Sequence, residues 1–293
     1  MAVNRLVAGA AAGVLIVAAA AAYWWSREPR TIEVVPITRD ASSSGTATSD
    51  GAAQIARESP PLQTIPPAEP LPPLPESDEY LRRRLADLAG PEWLDRVAEE
   101  QVARRFVATV DGLARDGVPI ETRAFRAVPG TLVVEGTEDR PTLAPANGER
   151  YEPYVRALEA LSAPAAARLY RETYPLLQAA YEALGYPQRR FNDRVVEVIE
   201  HLLATPEPAA PIRLARPHVM YTFTDPALEQ RSAGQKLLLR MGAANAARVK
   251  NWLRTFRREI TEPVAELRER PVRVDGAEAT SAYPVPDPVP EHS

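Results

Sequence analysis

The nearest approach to a reactive constellation lies in the segment VEVIEHLLA. There Glu197 and His201 stand one helical turn apart, with Glu200 beside them. A carboxylate so placed could orient an imidazole for general-base work or for a metal. The helical wheel favours a solvated pair instead. Phe191, Val195, Val198 and Leu202 gather on one face, while Glu197 and His201 fall on the polar flank beside Arg194. Ser232 and Lys236 have the four-residue spacing of a serine–lysine dyad, but Ser232 and Gln235 equally spell a helix capping box. His218 follows Pro217 in an extended stretch and has no nucleophile near it in sequence. Glu172, Glu182 and Glu200 could supply the paired carboxylates of a glycan hydrolase, although nothing in the sequence says which of them share a cleft. No Gly-rich phosphate loop, GxSxG elbow or HExxH helix occurs. The absence of Cys removes disulfides, thiolate nucleophiles and thiolate metal sites, and only 3 His argue against imidazole-rich metal centres; no cofactor is expected.

The most unusual charge feature lies between residues 231 and 258. Arg231, Lys236, Arg240, Arg248, Lys250, Arg254, Arg257 and Arg258 occur there without an intervening acid. On a helix over 243–260, Val249, Trp252, Leu253, Phe256 and Ile260 share one arc, and Lys250, Arg254, Arg257 and Arg258 the opposite one. Read as a surface, Arg248, Lys250, Arg254, Arg257 and Arg258 form a basic face for anionic headgroups, an acidic envelope polymer or an acidic partner protein. Nucleic acid is a poor fit, because the 293-residue chain carries 35 Lys and Arg against 39 Asp and Glu, a net charge of −4, and lacks an interleaved aromatic platform.

These residues must be positioned by helices. Ser77 can cap a helix through Leu88 that Gly90–Pro91 closes, and a second is predicted from Leu94 to Arg115. Phe125 to Val128, Gly130 to Gly136 and Thr142–Leu143 read as short strands forming a small hairpin. Helices follow near Tyr151 to Leu161 and from Ser162 to Leu184. In the second, Tyr170, Tyr174, Leu177, Tyr181 and Leu184 make a packing seam. Another helix runs from Phe191 to just before Pro206, and Thr224 can cap a TDP turn. A helix beginning at Ser232 ends at Gly242, and the last spans about Ala243 to Ile260.

The phrases LPPLPESDEYLRRRLADLAG, RRFVATVDGLARDGVP, YEPYVRALEAL, YPLLQAAYEALGYP and QKLLLRMGAANAARVKNWLR carry a family likeness. Over roughly residues 70 to 260 the chain resembles the proteobacterial domain-of-unknown-function family numbered 3014. That resemblance implies a single-anchor membrane protein and brings no established activity or catalytic residue.

The layout around the helical part agrees with an anchored protein. Residues 1–5 form a short head, and Leu6 to Trp25 is an uncharged run of 20 residues, about 30 Å as a helix, the thickness of a bilayer core. It also has features of a cleavable signal, with Arg5 before it and Ala20 to Ala22 within it. A retained span is preferred, because the run exceeds a usual signal core and ends in Tyr23, Trp24 and Trp25, an interfacial belt. Gly9 and Gly13 form a GxxxG that can bring two such helices together as a weak homodimer. Residues 26–75 read as a tether, with eight prolines between 60 and 75, and 263–293 as a disordered Pro-rich tail.

The expected architecture is therefore mainly α. A multi-helix globular domain with a small β-hairpin element occupies residues 76–262, preceded by one transmembrane helix and a Pro-rich linker. The five-residue head favours an inner-membrane signal anchor with the carboxyl-terminal domain in the periplasm. The expected role is that of a noncatalytic scaffold or partner-binding module. An envelope hydrolase using paired carboxylates or the Glu/His site is one alternative, and a ligand-sensing domain another.

Overall fold

In the computed structural model, residues 61–126, 128–209, 211–217, 220–265, 272–274 and 277–279 are described. Their helices are α1 (Asp78–Ala89), α2 (Val102–Leu113), α3 (Asn147–Ala160), α4 (Ala163–Ala183), α5 (Phe191–Leu203), α6 (Pro226–Glu229), α7 (Ala233–Arg240) and α8 (Ala243–Thr261). The strands are β1 (Val134–Thr137), β2 (Arg140–Leu143), β3 (Leu214–Ala215), β4 (Thr222–Phe223), β5 (Val272–Val274) and β6 (Ala277–Ala279), paired antiparallel two by two. The fold is mainly helical with a small antiparallel hairpin, as the periodicity predicts. Residues 6–25 lie outside the described residues, among which no helix is long and apolar enough to cross a membrane.

The central pair is α4 and α8. On α4, Ala166, Ala167, Tyr170, Leu177, Ala180 and Tyr181 are buried, and the alanines let neighbouring helices approach. Leu184, assigned to the same seam by its spacing, instead ends the helix at 43% exposure. Helix α8 also packs on α3 and α5, while α2 lies across α4, α5 and α7. Gly234 permits the last contact, since a Cβ there would sit 2.5 Å from Leu202 Cδ2 and 2.8 Å from the Leu113 carbonyl oxygen.

The helix predicted from Leu94 is broken. Pro91–Arg96 forms a 3-10 turn, Val97 bridges Phe125, and α2 starts only at Val102. Val97 and Phe125 are both buried by that bridge, whereas Ala98 to Gln101 offer little apolar surface for a continuing helix. The strand expected at Phe125 is accordingly a single bridge. The start of α2 is capped from a distance. Asp78 Oδ2 accepts from Gln101 N at 2.7 Å and Oδ1 from Val102 N at 2.8 Å. Ser77, predicted to cap α1, donates instead to the Leu74 carbonyl at 2.8 Å.

The β1–β2 hairpin is fixed to α3 by Asn147. Its Oδ1 accepts from Val133 N at 2.9 Å, and its Nδ2 donates to the carbonyls of Val133 at 2.6 Å and Ala144 at 2.8 Å. A Thr142–Arg213 bridge joins this hairpin to β3–β4. Ahead of α6, Asp225 rather than Thr224 is the cap, accepting from Ala227 N at 2.8 Å. The strands β5 and β6 fall within the stretch whose composition predicts a tail.

The boundary of the folded unit also moves. Residues 61–75, predicted as the end of a free tether, form a strap on the body. Ile65 is only 6% exposed, Leu62 packs on the core, and Glu69 pairs with Arg83. Two apolar side chains set among prolines have given an already extended chain something to bury.

Candidate functional site

The Glu197–His201 constellation does not assemble. Arg194 lies between α5 and α2, donating from Nε to Asp111 Oδ1 at 2.7 Å and from Nη2 to the Asp111 carbonyl at 3.0 Å. Its Nη1 takes Glu197 at 2.8 Å. His201 turns to Ser232, with Nε2 and Oγ 2.8 Å apart. Burial, helped by the positive charges of Arg194 and Arg231, pushes His201 below its ordinary 6.5. The imidazole is therefore neutral at pH 7, and Nε2 can accept the Ser232 proton.

Ser232 Oγ also accepts from Gln235 N at 3.3 Å, the capping bond read from the sequence. The other half of the capping box is missing. Gln235 Nε2 donates at 2.8 Å to the His201 carbonyl near the end of α5, so serine and glutamine together splice α5 to α7. Lys236 is turned away from Ser232, its Nζ donating to the Glu229 carbonyl at 2.9 Å and to Glu229 Oε1 at 3.2 Å. His218 lies outside the described residues.

The three candidate carboxylates have separate partners. Glu172, 2% exposed, is held by Arg84 at 2.5 Å and Arg168 at 2.9 Å. Glu182 is exposed and accepts from Gln178 Nε2 at 2.9 Å. Glu200 pairs across to Arg257 on α8 at 2.8 Å.

The basic helix α8 is the site that the fold modifies most. Lys250 is not on an open face. It is 3% exposed, with Nζ donating to the Thr205 carbonyl at 2.7 Å and to Glu207 at 2.9 Å. Those bonds hold the Glu207 carboxyl below its ordinary range. The loop leaving α5 passes over this flank, which a wheel drawn for one helix cannot register. Arg248 forks onto Glu152 Oε2 at 2.6 Å and Glu159 Oε2 at 2.5 Å, raising its own affinity for a proton and lowering that of Glu159. The Arg254 and Arg258 side chains remain exposed and make no ion pair or hydrogen bond among the described residues.

Where α8 ends, Arg171 of α4 is buried at 1% exposure. Its Nη1 donates to the Gln63 carbonyl at 2.6 Å, and its Nη2 to the carbonyls of Glu259 at 2.6 Å and Glu262 at 2.8 Å. One guanidinium thus fastens the strap to the end of the last helix. Gln63 Oε1 reinforces the junction by accepting from Val264 N at 2.9 Å. Sequence spacing gives no sign of this clamp, apart from an arginine standing amid the buried face of α4.

The family model described as Protein of unknown function (DUF3014) matches residues 102–257, just over half of the chain. The chain belongs to this family. No curated protein and no solved structure matches it. The DUF3014 match runs from the first residue of α2 to within α8, and so contains Arg171, Arg248 and Arg254. The strap, α1 and the two α8-end carbonyls that Arg171 holds fall outside it.

The DUF3014 segment also walls a cleft of about 560 Å³ at the α7–α8 junction, between the 205–212 loop and the start of α3. Arg240 lines it. This side chain is buried with its guanidinium 5.0 Å from the Phe223 ring centroid, and burial lowers its pKa to about 10, so it stays charged at pH 7.

Proposed function

We propose that this DUF3014 protein is a noncatalytic partner-binding module, held in the inner membrane by residues 6–25 and displayed in the periplasm. The observation that carries the reading is the Arg171 clamp. It brings the strap through which the chain enters the body and the end of α8 through which it leaves onto one guanidinium. A body tethered at one such point leaves its remaining surface available to a partner. The exposed cations Arg254 and Arg258 supply that surface with a recognisable feature, matched to an acidic protein or envelope polymer. Because residues 61–75 are docked on the body, the tether in this reading ends before residue 61.

The test uses the full chain in intact cells, with a photo-crosslinking residue at Arg254 or, as a control, at Glu138 in the β1–β2 turn. The expected result is a discrete adduct from Arg254 that disappears with Arg258→Glu, together with retention of the chain in membranes after alkaline washing. Equal adducts from both positions, or soluble mature protein beginning near Tyr23, would overturn the reading.

A further inference from the structure

The proline-rich strap carries its apolar residues at a fixed interval. Leu62, Ile65, Leu71 and Leu74 stand at multiples of three, the number of residues in one polyproline II turn, so an extended strap presents them along one edge. The fold uses that edge. Ile65 is buried and Leu62 and Leu74 pack on the core, whereas Gln63, Thr64 and Pro66 are exposed. Arg171 reads the backbone. Its Nη1 donates to the Gln63 carbonyl, an acceptor that an extended segment without internal hydrogen bonds leaves open. The body is in this sense a receptor for extended proline-rich chain, and the strap is the ligand seated in it.

Two features make that ligand exchangeable. Residues 61–67 belong to no helix or strand, which places them at the low end of local stability. The chain then bends at Ala68–Glu69, between Pro66–Pro67 and Pro70, where a proline-rich sequence prefers to run straight. Straightening the bend swings residues 61–67, about 20 Å of extended chain, off their own body. The groove left behind has lost the carbonyl facing a charged donor and the side chain filling the Ile65 seat. A second copy brings both on an identical segment, and a reciprocal exchange restores every contact while changing only the bend.

We propose that two copies of this chain exchange straps, residues 61–67 of each lying on Arg171 of the other. The proposal stands independently of the partner assigned to Arg254 and Arg258.

The experiment co-expresses two full-length chains that differ in an epitope tag. The donor copy carries a photo-crosslinking residue at Gln63, and only adducts containing both tags are scored. Such an adduct is expected. Arg171→Met in the receiving copy should reduce it about tenfold or more, the worth of a hydrogen bond to a charged group, whereas the same change in the donor should not, because it loosens only the donor's own groove. Ile65→Ser should act in mirror image, abolishing the adduct from the donor and raising it from the receiver, whose groove it empties. Each variant is thereby its own folding control. Absence of a doubly tagged adduct, or an equal loss whichever copy carries Arg171→Met, would overturn the proposal. Capture of a different protein, in place of the second copy, by a probe at Arg83, where Glu69 of the strap pairs, would overturn it as well.

Discussion

Replacing Arg171 with methionine keeps most of the aliphatic volume and removes three charge-assisted bonds to the carbonyls of Gln63, Glu259 and Glu262. At about 1.5–3 kcal/mol for a hydrogen bond to a charged group, the gross loss could reach roughly 9 kcal/mol. The strap offers an escape. If it lifts, the carbonyls regain water, and the added cost is the burial of Ile65, about 1.5–3 kcal/mol for a fully buried aliphatic side chain. The net loss should therefore be about 3–5 kcal/mol, a large share of the ~5–15 kcal/mol that holds a folded domain. With a urea m-value of about 1–3 kcal/mol/M, the midpoint should fall by roughly 2 M. Hydrogen exchange gives the sharper readout. The amide of Val264, which donates to Gln63 Oε1 of the strap, should lose protection well before those of α2, and Arg171→Lys should rescue little, because one ammonium cannot reproduce the guanidinium's fork. The core variant Val107→Ala should lower stability without preferentially exposing the strap. If Arg171→Met leaves exchange at Val264 tracking that of α2, the clamp does not hold the strap and the reasoning fails.

Asp78→Ala should cost about 1–2 kcal/mol and raise exchange at Gln101 and Val102, the start of α2, more than within α1. Gly234→Ala should destabilise by about 1–3 kcal/mol in a denaturant titration, despite the better helix propensity of alanine, because Leu202 and the Leu113 carbonyl occupy the space. His201 takes up a proton less readily folded than unfolded, so the unfolded chain protonates first as pH falls. Its contribution should be complete above pH 6.5 and decline below that value toward the lower folded-state pKa. Comparison of urea midpoints at pH 7.5 and 5.5 should show a smaller decline in His201→Gln than in wild type.

Several elements were legible because their determinants are local. The apolar stripe of α5, the Gly90–Pro91 stop, the Ser232 cap and the hairpin around Val134 and Leu143 all depend on residues a few positions apart. What was missed depends on contacts across the chain. Asp78 looks like a favourable charge at the start of its own helix, and only the approach of α1 to α2 makes it a cap for Val102. The strap reads as a spacer until the body supplies Arg171 and a seat for Ile65. The spacing of Ser232 to Gln235 marks a cap, whereas the bond of Ser232 to a histidine 31 positions away leaves no local trace.

The basic run shows why charge counted along a sequence overstates charge presented to a partner. Arg231 donates to the Ala227 carbonyl at 3.1 Å, Lys236 meets Glu229, Arg240 is buried, and Arg248, Lys250 and Arg257 each meet a glutamate. Arg254 and Arg258 are left to act outward. At about 1 kcal/mol per cation near an anionic bilayer, they supply roughly 2 kcal/mol, close to thirtyfold in binding. That can orient a tethered body but cannot hold it at a surface unaided. In a chain lacking residues 1–25, Arg254→Gln with Arg258→Gln should reduce pelleting with phosphatidylserine vesicles by no more than about thirtyfold, and 1 M salt should erase the difference. Arg248→Gln should weaken pelleting less than Arg254→Gln, because Glu152 and Glu159 already neutralise the Arg248 charge. Should Arg248→Gln weaken it as much as Arg254→Gln, the internal pairs do not mask the helix, and the outward face is wider than two arginines.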